Sequence, residues 1–108
     1  MTNELTVKMT YHARVERVER IEAIAEMIGF SRPVLTYIDK KEQKKYLLTS
    51  TGVILVFGIS SEALITAFLA THEQARKLYW LAGKSQISPK VEKKIIKNCK
   101  KYSYLFEL

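Results

Sequence analysis

The sequence predicts an α+β fold: a four-stranded antiparallel meander sheet with one N-terminal helix and two C-terminal helices. Apolar residues first recur at helical spacing, up to Gly29. Four short runs rich in β-branched and aromatic residues follow, separated by short turns. Helical spacing then returns after residue 70. The length of 108 residues fits one domain with a single hydrophobic core.

The single domain, residues 1–108, divides into a helix at 10–29, the antiparallel sheet at 34–70 and two helices at 71–103. Thr10 is a plausible N-cap for the first helix, and Gly29 is a natural C-terminal stop. Its buried stripe is expected at Val18, Ile21, Ala25 and Ile28, with Arg14 continuing the stripe one turn earlier. The segment before it, Leu5–Met9, is either a short strand or an ordered arm.

The strands are expected at Val34–Ile38, Tyr46–Thr49, Val53–Phe57 and Ala63–Ala70. The last two are apolar on both faces, which is typical of central strands. Thr71 and Gln74 fit a capping box, and Pro89 fits the first position of the last helix. The inward side of that helix is expected at Val91, Ile95, Cys99 and Tyr102.

The charge of this chain is unevenly distributed. The net charge is +7, and the segment Lys84–Lys101 contains seven lysines and one glutamate, an excess of six. Such a segment favours an acidic partner, which is a nucleic acid, an acidic protein or a membrane surface. The alternative is a solvated helix face that only aids solubility.

The sequence lacks the motifs of several kinds of functional site. Cys99 is the only cysteine, so an internal disulfide is excluded, and with two histidines no metal site is expected. Neither a glycine-rich phosphate loop nor a dinucleotide fingerprint is present, so no cofactor is expected. No apolar run reaches the length of a membrane span, and the N-terminus lacks the pattern of a secretion signal. We therefore expect a cytoplasmic protein without a membrane partner.

The first helix carries the candidate catalytic residues His12, Arg14 and Arg17. Arg14 and Arg17 are three residues apart and point to the same side, where they could clamp a phosphate. The alternative is a pair of rim arginines bonded to nearby glutamates or carbonyl groups. His12 could serve as general base or acid on a ribose hydroxyl, or it is simply a surface histidine.

The predicted strands add further candidates. Thr66 carries the only side-chain hydroxyl between Ala63 and Ala70, and it is expected to share a face with Leu64 and Phe68. Its hydroxyl could bond a scissile phosphate, or the residue only packs locally as a β-branched strand former. Tyr46 could stack on a base. The hydroxyls of Thr49, Ser50 and Thr51 either bind phosphate or shape a turn. The candidate nucleic-acid-binding lysines are Lys44, Lys45, Lys90, Lys94, Lys97 and Lys101.

The helix string HARVERVERI and the strand string ALITAF, joined by a meander, resemble small ribonuclease toxins of the barnase–EndoU–colicin–RelE class. The start of the helix is similar to BrnT-like toxins. The resemblance covers about residues 9–71 and its motifs are short. It implies metal-free RNA cleavage through a cyclic phosphate, with His12, Arg14, Arg17 and Thr66 in the catalytic roles, and it makes an inhibitor protein a possible partner. The two lysine-rich C-terminal helices depart from the pattern.

The leading hypothesis is therefore a toxin-like, metal-independent ribonuclease or RNA-binding protein. The alternative is a non-catalytic nucleic-acid- or protein-binding accessory protein of a mobile element or phage. A self-associating structural module is a third hypothesis, because the tyrosine-rich C-terminal tail and the apolar strands could form an interface.

Overall fold

The computed structural model describes residues 8–9 and 18–102, and these form one five-stranded sheet and three helices. The elements in chain order are β1 (Lys8–Met9), α1 (Val18–Met27), β2 (Pro33–Asp39), β3 (Lys44–Thr49), β4 (Val53–Gly58), β5 (Ala63–Leu69), α2 (His72–Leu81) and α3 (Pro89–Lys101). The strand order is β1-β5-β4-β3-β2. Strands β2 to β5 form the antiparallel meander, and β1 pairs with β5 in parallel. The predicted α+β layout is confirmed, with β1 as an additional edge strand.

Helices cover both faces of the sheet and create two core layers. In the first layer, which we call the α1 layer, Ile21 and Ile24 pack with Leu55 and Leu64. In the second, the α2–α3 layer, helical side chains such as Ile95 pack against the opposite face of the sheet. Nearly every side chain of β4 and β5 is buried, as expected for central strands. Non-directional burial of apolar area therefore stabilises the sheet from both sides.

Among the positions whose burial the structure describes, which exclude Arg14 and Val18, the stripe of α1 differs from the prediction at one. Ile24 is fully buried, whereas Ala25 is exposed. Ile21 is buried and Ile28 is partly buried, as expected. The helix is rotated so that the larger apolar side chain faces the sheet, since isoleucine removes more apolar area from water than alanine does.

The ends of the helices follow the predicted signals. In α2 the Thr71 hydroxyl accepts a hydrogen bond from Gln74 N at 3.1 Å, and the Gln74 side chain accepts one from Thr71 N at 2.9 Å. Gly29 ends α1 with a φ of 82° and donates its N–H to Ile24 O. Pro89 occupies the start of α3. The capping box, the end of α1 and the start of α3 are thus confirmed, whereas the predicted N-cap Thr10 lies outside the described residues.

The inward side of α3 contains an asparagine where a cysteine was expected. Val91 and Ile95 are buried, but Cys99 is exposed and Asn98 is buried. Asn98 Nδ2 donates to Thr51 O at 2.9 Å, in the turn between β3 and β4. The prediction was wrong because a buried amide with a specific acceptor is not visible in an apolar repeat.

The described helices contain 10, 10 and 13 residues. None of them combines the length and apolar character that crossing a bilayer requires.

Candidate functional site

Three of the four predicted catalytic residues lie outside the described residues. His12, Arg14 and Arg17 belong to the segment 10–17, so their convergence with Thr66 stays a prediction. Thr66 lies in β5 and is 7% exposed. A hydroxyl buried to that extent needs a hydrogen-bond partner.

That partner is Arg20 of α1. Its Nη2 donates to Thr66 Oγ1 at 2.7 Å, and its Nε donates to Ala67 O at 3.0 Å. Past Leu64, where the pairing with β1 stops, no described strand pairs with this edge of β5. Arg20 therefore supplies donors to a strand edge, and its guanidinium carbon also lies 5.9 Å from the centroid of the Phe68 ring.

Thr66 does not share a face with Leu64, contrary to the prediction. The β4–β5 register shifts between Val56 and Phe57, so that Thr66 pairs with Val56 while Leu64 pairs with Phe57. The extra residue reverses the alternation of side chains. Leu64 consequently packs in the α1 layer, whereas Phe68 packs in the α2–α3 layer as Val56 does. The predicted shared face with Phe68 fits this arrangement.

A row of paired residues crosses the sheet on the face of Thr66. Thr66 pairs with Val56, Val56 with Tyr46, and Tyr46 with Tyr37. The two tyrosine rings have centroids 6.3 Å apart. The row brings Tyr46 to the same face as Thr66, with only Val56 between them.

Lys44 and Lys45 point to opposite faces of the sheet, because side chains alternate along β3. The Nζ of Lys45 lies 5.6 Å from the centroid of the Phe57 ring, in the α1 layer. Both lysines begin β3, whereas α3 contacts the turn after the end of that strand. The structure therefore separates them from the predicted lysines of α3.

The hydroxyls at 49–51 shape their turn. Thr49 is fully buried, and its Oγ1 accepts a hydrogen bond from Val53 N at 3.1 Å. Its Oγ1 also lies 3.0 Å from Thr51 Oγ1, which donates to Gly29 O at 3.2 Å. Ser50 Oγ contacts Ser31 Oγ. This network fits the turn-shaping alternative.

Arg20 is the partner of Thr66 that the sequence pattern did not predict. The expected stripe through Ala25 left position 20 off the buried side. The observed stripe through Ile24 places Arg20 one turn before it on the same side. The same four-residue spacing relates Arg17 to Ile21 in the sequence, so the local pattern did not single out Arg20.

The strongest charge feature is one side of α3, which we call the lysine face: Lys90, Lys93, Lys94, Lys97, Lys100 and Lys101. All six lysines are exposed. At about 100° per residue they occupy a continuous arc of about 120°. Buried Val91, Ile95 and Asn98 lie on the other side of the helix. This arrangement makes one surface of α3 uniformly cationic.

The carboxylates described in the structure leave the lysine face uncompensated. None of them lies within 4.0 Å of a lysine nitrogen of this face. Glu92, the one carboxylate of α3, instead contacts His72, with Oε2 2.6 Å from Nε2. Lys94, Lys97 and Lys101 line a small cleft of about 150 Å³ at the C-terminal end of α1. Cations are favoured near such a helix end.

The chemistry that the described residues offer is ionic and hydrogen-bonding. They contain no group of three or more histidine, cysteine, aspartate or glutamate side chains placed to hold a metal ion.

No protein-family model, no curated protein and no solved structure matches this chain. Its function is therefore inferred from its own residues and their geometry.

Proposed function

We propose that this protein binds RNA through the lysine face of α3. The observation that carries the proposal is the arc of six exposed lysines, none of whose nitrogens lies within 4.0 Å of a described carboxylate. Phosphate contacts supply most of the affinity in sequence-independent binding to nucleic acid. The lysine face is built for such contacts, because every one of its side chains reaches solvent.

The dimensions of α3 suit a phosphate backbone. Lys90 and Lys101 are separated by about 17 Å along the helix axis, at a rise of about 1.5 Å per residue. One strand of a nucleic-acid duplex presents about five phosphates over that length. Six lysines can therefore engage several phosphates together, and each contact releases condensed counterions.

The finer proposal is metal-independent RNA cleavage by a toxin-like ribonuclease. It is favoured by Thr66, whose hydroxyl is held by a guanidinium within an otherwise apolar strand. In this proposal His12 transfers protons, Arg14 and Arg17 hold the phosphate, and Thr66 assists. The 2′-hydroxyl of RNA then attacks the adjacent phosphorus, the 5′-oxygen leaves with a proton, and a cyclic phosphate remains.

The binding proposal is tested with fluorescein-labelled RNA oligonucleotides and fluorescence anisotropy. If all six lysines contact single-stranded RNA, the logarithm of the association constant falls with a slope of about −4 against the logarithm of salt concentration. A flat salt dependence, or no binding at low salt, would contradict the proposal.

The cleavage proposal needs a separate assay. Defined RNA is incubated with the purified protein in chelator, and the fragments are examined for cyclic-phosphate ends. The His12→Ala variant is expected to bind RNA normally and to leave it intact. Intact RNA with the unsubstituted protein would instead favour a non-catalytic accessory protein, and cleavage by the variant would remove His12 from the mechanism.

A further inference from the structure

An open cleft lies between α2, the loop that follows it and the beginning of α3. Its volume is about 760 Å³, which is within the range of sites that hold small ligands. Its charged lining residues are three cations, Arg76, Lys77 and Lys84, and two carboxylates, Glu73 and Glu92, and Trp80 and His72 line it with them. The cleft is separate from the Arg20–Thr66 pair and from the lysine face.

Trp80 is the most exposed of the large apolar residues described in the structure. Its side chain is 74% exposed, while Ala75, Leu78 and Tyr79 form the buried side of α2. No described aromatic ring or cation contacts its indole. The fold therefore does not need this ring in its core, and the ring is open to a ligand.

Three cationic side chains line the same cleft as the indole. Arg76 and Lys77 precede Trp80 by four and three positions in α2, so they are its neighbours on the helix surface. Lys84 follows the end of the helix and lines the same cleft. Of the two carboxylates, Glu92 contacts His72, with Oε2 2.6 Å from Nε2, and the three cations still exceed the carboxylates by one.

An exposed aromatic ring beside several cations matches the chemistry of a nucleotide. The base can stack on the indole while the phosphate contacts a guanidinium or ammonium group. In a duplex the base faces are already stacked on one another, so this mode requires an unpaired strand. The core of a protein interface, by contrast, is depleted of charged residues.

From this arrangement we infer that the cleft binds one nucleotide of single-stranded RNA, with its base stacked on Trp80 and its phosphate held by Arg76 or Lys84. The inference rests on the proposed RNA binding and deepens it by naming the form of RNA. The lysine face attracts single-stranded and double-stranded RNA alike through its charge. The cleft at Trp80 adds the preference for unpaired RNA.

The test uses Trp80 itself, since it is the only tryptophan of the chain. Single-stranded and blunt-ended duplex RNA oligonucleotides with 2′-O-methyl groups are titrated in parallel, because these groups prevent attack by the 2′-oxygen. Labelled oligonucleotides report binding by anisotropy, and unlabelled ones report stacking by quenching of tryptophan fluorescence. We expect single-stranded RNA to quench the fluorescence over the same concentration range in which anisotropy shows binding.

Substitutions then measure the contribution of the ring. Trp80→Ala is expected to weaken single-stranded binding about tenfold, to leave duplex binding unchanged, and to be partly rescued in Trp80→Phe. Ile96→Ala is the matched control, because Ile96 is also a large exposed apolar residue, at 47%, but lies outside the cleft. Its affinity for RNA should equal that of the unsubstituted protein.

The outcomes separate the two proposals. One outcome is that anisotropy shows binding, tryptophan fluorescence does not change, and Trp80→Ala binds as the unsubstituted protein does. This outcome would overturn the inference about the cleft but not the proposal about the lysine face. Equal weakening for single-stranded and duplex RNA would also overturn it. Absence of binding to either oligonucleotide would overturn both proposals, and a change of oligomeric state in Trp80→Ala would assign the ring to self-association instead.

Discussion

Arg20 and the lysine face are both cationic, but they occupy opposite environments. Arg20 is partly buried, and its guanidinium donates to Thr66 Oγ1 and Ala67 O at the edge of β5. The lysines of α3 are exposed and have no described carboxylate within ion-pair distance. The guanidinium of Arg20 bonds to its own chain, whereas the lysine side chains of α3 are available to a partner.

This contrast separates stability from binding. A partly buried guanidinium is costly without acceptors, so removing its partner should lower the free energy of unfolding. Exposed lysines contribute little to folding and much to association with polyanions. Substitutions at the Arg20–Thr66 pair should therefore change the free energy of unfolding, and substitutions in the lysine face should change the affinity for RNA.

The largest effect is expected from charge reversal at Lys90 and Lys97, which lie in the middle of the angular arc of the lysine face. The Lys90→Glu/Lys97→Glu variant should bind RNA at least about 100-fold more weakly, because two phosphate contacts become repulsions. Thermal unfolding should change little. The measurement is anisotropy at low salt.

The matched control is Lys40→Glu/Lys41→Glu, which makes the same change in net charge in the exposed turn between β2 and β3. It should retain most of the affinity. Equal losses in the two variants would show that net charge, rather than the lysine face, governs binding.

The next effect concerns the Arg20–Thr66 pair. Thr66→Val keeps the shape of the side chain but removes the acceptor of the Arg20 Nη2 hydrogen bond, so it should lower the free energy of unfolding by about 2 kcal/mol. Urea denaturation measures this change. Thr66→Ser retains the hydroxyl and should cost less.

RNA affinity is the second readout for both variants at Thr66. It should be unchanged if the residue only supports the fold. Loss of cleavage in Thr66→Val but not in Thr66→Ser, with equal affinity, would favour the assisting role instead. Equal stability of the two variants would contradict the energetic role assigned to the Arg20 bond.

The sequence predicted the elements of this fold better than the partners of its polar side chains. The strands are fixed by local apolar runs, and α2 by a capping box that is complete within four residues. The Arg20–Thr66 bond joins residues 46 positions apart, and the bulge that turns Thr66 away from Leu64 depends on the β4–β5 register. Pairings of that kind follow from tertiary geometry, so the local pattern identified Thr66 without identifying Arg20. His12, Arg14 and Arg17 were selected by the same local pattern, and their roles stay predictions.

A smaller effect tests how α3 is attached to the sheet. Gly52 has a φ of 86°, and a Cβ there would lie 3.0 Å from Asn98 Nδ2 and 3.2 Å from Ile95 Cγ1. Gly29 has a φ of 82° with nothing within 4 Å of such a Cβ. Both alanine variants carry the backbone strain of a positive φ, but only Gly52→Ala also crowds α3.

The difference in stability between these two variants measures the crowding of α3 by a Cβ at position 52. We expect Gly52→Ala to be less stable than Gly29→Ala by about 1 kcal/mol in urea denaturation, because the neighbouring side chain must shift in a packed core. Equal losses would mean that α3 yields readily at this turn. The lysine face would then sit on a less rigid support than the contacts of Gly52 and Asn98 indicate.

The smallest effect is expected at Glu92, the one carboxylate of α3. Its pair with His72 is 2.6 Å long, but both side chains are more than 40% exposed, so Glu92→Gln should change stability by no more than about 0.5 kcal/mol. Removing its negative charge should raise RNA affinity about twofold at low salt, and screening should erase the gain at high salt. His72→Gln breaks the same pair while keeping the carboxylate, so it should not raise affinity. If both variants raise the affinity equally, the pair acts through the position of α2 against α3. If neither variant changes the affinity, the charge of Glu92 does not limit binding at the neighbouring lysines.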